Sequence, residues 1–401
     1  MLREASEQRK KIATILAFCS VPLSGFVTDI YLPSFPSMAK GLVVSEKDIQ
    51  LTLTCYLLSY GISQLFVGTL LDNIGRYKPR LLALLSLILT NLAITFLDDI
   101  LLICLIRVIQ GIAIAVLVVA TRAIFIDIYD EKRRTYFLSY FTVAWSCGPI
   151  IAPFLGGYLE KLFSWHANFY FLAIYSAVIL LFDLWVGAES IPEKKKFNIK
   201  ETMALYGMML SNKMFMTGIL ILGFSYSIIM IFNIAGPFLI ENSFHFNSVT
   251  IGYCTLILGF SWMIGGLIGK RRMHVPFKQR ITRPIIIQMS LIIALLILSQ
   301  FYQSLLILMP FLFIIHICSG TIFNNFFTST MLFFPNNAGT AGGLMGGLVY
   351  ILTSITSFII SSSGVIDTQA GLVWRYLFMA LALLMAIIAI RIQATKNAIS
   401  K

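Results

Sequence analysis

The chain has 401 residues, 58% of them hydrophobic and only 12% charged, with a mean hydropathy of +0.87. A soluble domain carries about 25% charged residues, so this composition excludes a water-facing surface over most of the molecule, and lipid is the solvent it fits. The net charge of +12 does not point to nucleic acid, because the basic residues stand in short runs between apolar stretches rather than on one solvated face.

A bilayer core about 30 Å thick takes roughly 20 apolar residues in a helix. Residues Met1 to Lys11 carry both signs of charge, and the apolar run after them lacks a small-residue cleavage site, so it reads as a retained first span. The predicted spans are Ile12–Leu32, Ile49–Leu71, Leu81–Leu97, Ile100–Ala123, Phe137–Leu159 and Asn168–Gly187, then Phe215–Ile240, Ile251–Gly269, Pro284–Gln300, Leu305–Phe327, Ala341–Gly364 and Leu372–Ile390. The longest polar stretch, with Glu193, Lys194, Lys195, Lys196, Lys200 and Glu201, separates the sixth from the seventh. The expected class is an all-α membrane protein of twelve transmembrane helices: a six-helix half over 1–187, a cytoplasmic linker over 188–214 and a second six-helix half over 215–401.

Orientation follows from lysine and arginine, which concentrate in cytoplasmic loops. One set of loops holds 24 of them, including Arg76, Arg80, Lys132 to Arg134 and Lys270 to Arg272, and the opposite set holds 4. Both ends of the chain are therefore expected in the cytoplasm. Cys19, Cys55, Cys104, Cys147, Cys254 and Cys318 each lie in an apolar stretch without a CxxC pair. They read as small packing residues, with no disulfide, metal site or cofactor expected.

Three motifs stand out. At the end of span two, Gly68 can allow close helix approach, Gly75 falls in the turn, and Asp72 and Arg76 stand four apart, where they can pair. In span four, Arg107 precedes Gln110 and Gly111, and an arginine within hydrocarbon needs a carboxylate, a carbonyl or water. In span five, Gly148, Pro149, Pro153, Gly156 and Gly157 combine close-packing glycines with prolines that bend the helix. The glycines around Gly265 and the basic turn after span eight weakly repeat the first motif.

The run Gly68 to Arg80 resembles the signature loop of the major facilitator superfamily, with Tyr77 standing where a second basic residue is usual. Arg107-Val108-Ile109-Gln110-Gly111 resembles its RxxQG motif, and Gly148 to Gly157 its drug–proton antiporter motif. Asp29-Ile30-Tyr31-Leu32-Pro33, Gln50 to Thr54, Thr121 to Tyr129, Ser164-Trp165-His166, Ala235 to Phe238 and Ala338 to Ala341 are similar to the Bcr/CflA group of drug-resistance exporters. The resemblance implies proton-coupled export across a bacterial inner membrane by a monomer surrounded by lipid.

On that reading Asp29, near the outer end of span one, is the acid expected to bind a proton or a cation, with Arg107 across the cavity and His316 in span ten as a further proton carrier. Asp127 and Arg122 are expected to join Asp72 and Arg76 in a cytoplasmic gate. The antiporter glycines are expected to pack the interface between the halves. Asp183, on an outer helix, is read as structural. Tyr31, Tyr226, Asn233, Asn324 and Asn325 are expected to line the substrate cavity. The second half has no acid between Glu241 and Asp367, which favours amphipathic substrates. No HExxH, GxSxG or Walker A pattern supports an enzyme or an ATP-driven pump. An exporter dedicated to one endogenous metabolite, such as a siderophore, and a channel or receptor remain alternatives.

Overall fold

A computed structural model describes residues 1–191 and 199–399. It is all-helical, without a strand among the described residues, and divides into two compact units, Met1–Asn198 and Ile199–Lys401.

The first unit contains α1 (Glu7–Ser20), α2 (Leu23–Asp29), α3 (Phe35–Gly41), α4 (Glu46–Ile74), α5 (Tyr77–Ile94), α6 (Ile100–Ile128), α7 (Glu131–Leu162) and α8 (His166–Val186). Local chemistry sets several starts. Ser45 and Asp48 form a reciprocal capping box at the head of α4, and the Asp99 and Asp130 carboxylates accept the first free amides of α6 and α7. Helix α4 stops at Gly75, whose φ of 102° lies in the left-handed region that favours glycine. Helices α1, α2 and α3 run on as a single apolar span, Glu7–Gly41, interrupted by a tight turn at Leu32–Ser34.

The second unit contains α9 (Ile199–Ser211), α10 (Lys213–Phe238), α11 (Ser248–Arg271), α12 (Phe277–Leu298), α13 (Leu305–Met331), α14 (Ala338–Ser362) and α15 (Gln369–Ile399). The stretch expected as a linker is therefore mostly structured. Residues 188–191 are bonded to the first unit, and α9 turns Tyr206 and Met209 inward. Its 13 residues are too few to cross a bilayer. Glu193, Lys194, Lys195 and Lys196 lie outside the described residues.

Eleven segments among the described residues are long and apolar enough to span a membrane. Helix α7 supplies the twelfth long helix: it has 32 residues and no charged side chain between Thr135 and Leu159. Leucines and aromatics such as Leu82, Leu105, Leu181, Trp185, Leu306 and Phe378 project outward from several helices. An apolar surface this extensive suits lipid and not water.

Packing repeats within the units. In the first, α4 lies on α6, α5 on α6 and α8, α1 on α8, and α2 on α7. In the second, α11 lies on α13, α12 on α13 and α15, and α10 on α14 and α15. The two six-helix patterns correspond helix for helix, which is the structural counterpart of the weak sequence repeat.

Candidate functional site

The RxxQG turn sits where α6 comes closest to α4. A Cβ on Gly111 would collide with Ser59 Oγ and lie 2.6 Å from the Tyr56 carbonyl oxygen, so only glycine lets the two backbones meet. That approach lays the Tyr56 ring against the Arg107 guanidinium at 4.4 Å, and the Tyr31 ring lies against it at 4.6 Å. Arg107 is fully buried. Its Nη1 donates to the Val27 carbonyl at 3.1 Å and to Gln110 Oε1 at 2.7 Å. Gln110 Nε2 in turn donates to Asn91 Oδ1 at 3.2 Å. The tyrosines are held as well: Tyr31 bonds Thr52 through its hydroxyl, and Tyr56 bonds Thr28.

What is missing is an acid. Asp29 lies within electrostatic reach of Arg107, yet no ion pair joins them. Arg107 Nε and Nη2 and Asp29 Oδ1 are buried without a hydrogen-bond partner among the described residues. Asp29 is only 1% exposed. Its place corrects the expectation of an acid near the outer end of span one, because the span continues through α3 to Gly41. Tyr31 is also corrected: it is fully buried as one wall of the arginine site rather than lining an open cavity.

The second cluster surrounds Arg76, between α4 and α5. Arg76 Nη2 pairs with Asp72 at 2.7 Å, and its Nη1 pairs with Asp127 at the end of α6. Ser190 Oγ donates to the same Asp127 carboxylate at 2.8 Å. One helical turn into α5, Arg80 pairs with Asp183 of α8 at 2.6 Å, both nearly buried, and Arg80 Nη2 also donates to Ser20 of α1 at 2.9 Å. Arg80 is thus an internal tie rather than a loop cation. Arg122 is exposed and forms no ion pair with Asp72 or Asp127, and no described atom comes within 4 Å of a Cβ placed at Gly68.

Gly148, Pro149 and Gly156 of the antiporter motif pack within the first unit. Cβ atoms at Gly148 and Gly156 would strike the Pro22 and Ile30 carbonyls, and one at Gly25 would strike Pro149. The glycines therefore seat α7 against the backbone of α2, the helix that carries Asp29. Pro149 and Pro153 lie inside the continuous helix α7.

In the second unit His316 is fully buried, with Nε2 at 2.9 Å from the Tyr376 hydroxyl of α15 and Nδ1 unpartnered among the described residues. It faces α15 rather than an open cavity. Asn325 accepts from Arg280 Nη1 at 2.8 Å and donates to the Thr321 carbonyl, so its polar atoms are committed within the unit. Asn324 packs on α11 beside Gly269, and Asn233 is buried. Tyr226 is half-buried and meets Trp262, Phe323 and Tyr350 at ring-centroid distances of 6.2, 6.3 and 5.8 Å. That aromatic group draws one ring each from α10, α11, α13 and α14.

The Major Facilitator Superfamily profile matches residues 17–357. The chain is 28% identical to YdgK, an uncharacterised MFS-type transporter of Bacillus subtilis, over 91% of each protein. It is 35% identical to a bicyclomycin resistance protein homolog of Haemophilus influenzae, but over only 38% of each protein. The solved structure of the nucleoside transporter NupG overlays with a TM-score of 0.68 at 15% identity, covering 96% of this chain and 99% of that one, which shows a shared fold. With its match over most of the chain and its many apolar membrane-length helices, the protein is a multi-pass membrane transporter belonging to the major facilitator superfamily.

Proposed function

We propose that this transporter is a proton-driven exporter of small amphipathic compounds, working by alternating access in a bacterial inner membrane with both ends of the chain in the cytoplasm. The observation that carries the reading is the Arg107 site. A buried arginine without an acid partner, beside a buried carboxylate with an unpartnered oxygen, is costly unless a further species completes it. A proton on Asp29 removes the uncompensated negative charge. A pairing between Asp29 and Arg107 in the alternate state stabilises the deprotonated acid. Alternation between these two states couples proton movement to a conformational change.

The aromatic group around Tyr226 supports an amphipathic substrate, since flat apolar faces bind rings and cations with little need for directed hydrogen bonds. The bicyclomycin resistance homolog supports drug export as the class.

The reading is tested with purified protein in liposomes and ethidium as the probe. Accumulation against its gradient when a proton gradient is imposed, abolished by a protonophore, is the expected result. Downhill equilibration alone would mark a channel. Failure of ethidium, together with build-up of a single metabolite in a deletion strain, would mark an exporter dedicated to that metabolite. Orientation is tested by reporter fusions at both ends, which are expected to be active only as cytoplasmic reporters.

A further inference from the structure

Residues Leu2–Glu4 form a short turn ahead of α1. A surface turn of this kind ordinarily leaves its side chains in solvent, yet Leu2 is 1% exposed. Its side chain sits among Ala13 of α1, Ile124 and Ile128 of α6 and Val186 of α8. Its amide donates to the Glu189 carbonyl at 2.8 Å. Seven residues on, Arg9 grips the same stretch, with Nε donating to the Val186 carbonyl at 2.8 Å and Nη2 to the Gly187 carbonyl at 3.1 Å. The beginning of the chain therefore holds the segment after α8 through three donors and one buried side chain.

That segment reaches directly into the Arg76 cluster. The Glu189 carboxylate accepts the main-chain amide of Arg76 at 3.0 and 3.1 Å and that of Tyr77 at 3.4 Å. It also accepts the amides of Ser190 and Ile191 at 3.0 and 3.2 Å. The first amides of α5 have no partner within their own helix, and a carboxylate there satisfies them and suits the helix dipole. Arg76 is consequently held at both ends, its guanidinium by Asp72 and Asp127 and its backbone by Glu189. Next to these groups lies a cavity of about 20 Å³, lined by Leu2, Arg76, Tyr77, Arg80 and Asp183 among others. A volume of that order holds about one water, and Leu2 forms part of its wall.

We propose that Leu2 is a positioning residue for the Arg76 cluster: the Leu2–Glu4 turn is a strap that presses Glu189 onto the first turn of α5, and its release frees Arg76 to change partners. The consequence for transport rests on reading the Arg76 cluster as a gate; the strap itself does not. Glu189 is the relay, because the same residue receives the strap through its carbonyl and holds α5 through its carboxylate.

The test is hydrogen–deuterium exchange on the full-length protein in detergent, resolved at the Arg76 and Tyr77 amides. Leu2→Asp is expected to speed exchange at these two amides about tenfold, as a local opening. Leu2→Ile is expected to restore wild-type exchange, and Glu189→Ala should match Leu2→Asp without adding to it. Where Leu2→Asp compromises folding, Leu2→Ala makes the same comparison without a buried charge. Faster exchange in residues 2–5 with unchanged exchange at Arg76 and Tyr77 would overturn the proposal. Changed exchange with unchanged ethidium transport would leave the strap standing and remove the gate reading instead.

Discussion

Two groups of arginines in the first unit are built on opposite principles. Around Arg76 and Arg80 every guanidinium meets an acid: Asp72 and Asp127 for the first, Asp183 for the second. Around Arg107 there is no ion pair among the described residues, and two tyrosine faces, a carbonyl and an amide oxygen surround it instead. A paired charge has already recovered much of its desolvation cost and changes partners only when the contacts that hold it are released, whereas an unpaired one keeps a standing demand for a counter-charge. The first arrangement ties helices together. The second leaves Asp29 and Arg107 free to change state.

The comparison breaks most visibly at Arg80 and Asp183. Replacing either with leucine leaves an uncompensated buried charge and is expected to destabilise the protein by about 3–5 kcal/mol. The double replacement is expected to recover most of that loss, because the two side chains then bury apolar surface together. Thermal unfolding in detergent of the two single variants and the double variant checks this.

Next in size is the seat of α7 on α2. Gly156→Leu drives a side chain into the Ile30 carbonyl, and overpacking of this kind costs about 1–3 kcal/mol. It also pushes on the helix that carries Asp29, so transport should fall further than stability does. Parallel unfolding and flux measurements separate the two effects.

Arg107→Leu sharpens the contrast with Arg80. Losing the tyrosine contacts is offset by removing an unpaired buried charge, so stability is expected to stay within about 1 kcal/mol of the wild type, while proton-driven export is lost. A stability loss as large as that of Arg80→Leu would show that Arg107 is a structural tie of the same kind.

The smallest stability effect is expected at Asp72, whose side chain is 40% exposed in its pair with Arg76. A pair this open contributes about 1 kcal/mol or less. Asp72→Asn should therefore unfold almost like the wild type and bind ethidium with near-normal affinity, yet transport poorly. Loss of affinity in proportion to flux would contradict a gating role.

The parts of this picture that lie within one helix or one turn could be read from the chain. Asp72 and Arg76 stand one helical turn apart, and Arg107, Gln110 and Gly111 share a turn of α6, so spacing alone placed each set together. The span count followed from hydrophobic runs separated by charge. What escaped were pairs made by tertiary packing. Arg80 looks like one more basic residue of a loop, because its partner Asp183 is on another helix. Glu189 stands in a polar stretch with nothing local to mark it as the cap of α5. Asn325 reads as a cavity residue and His316 as a proton carrier, since hydropathy cannot say which side of a buried helix is already bonded. Pro33 and Pro36 are helix-breaking signals that hide the full length of span one, although the chain resumes its helix after one tight turn.

The central claim is that the unpaired site, and not the paired cluster, carries proton coupling. Its most direct test is Asp29→Asn reconstituted in liposomes, with gradient-driven accumulation of ethidium and downhill ethidium exchange measured in one preparation. The account predicts that accumulation disappears while exchange persists, since asparagine cannot take up and release the proton but leaves the rest of the site in place. Accumulation that survives with asparagine at this position would contradict it and move the search for the coupling group to His316.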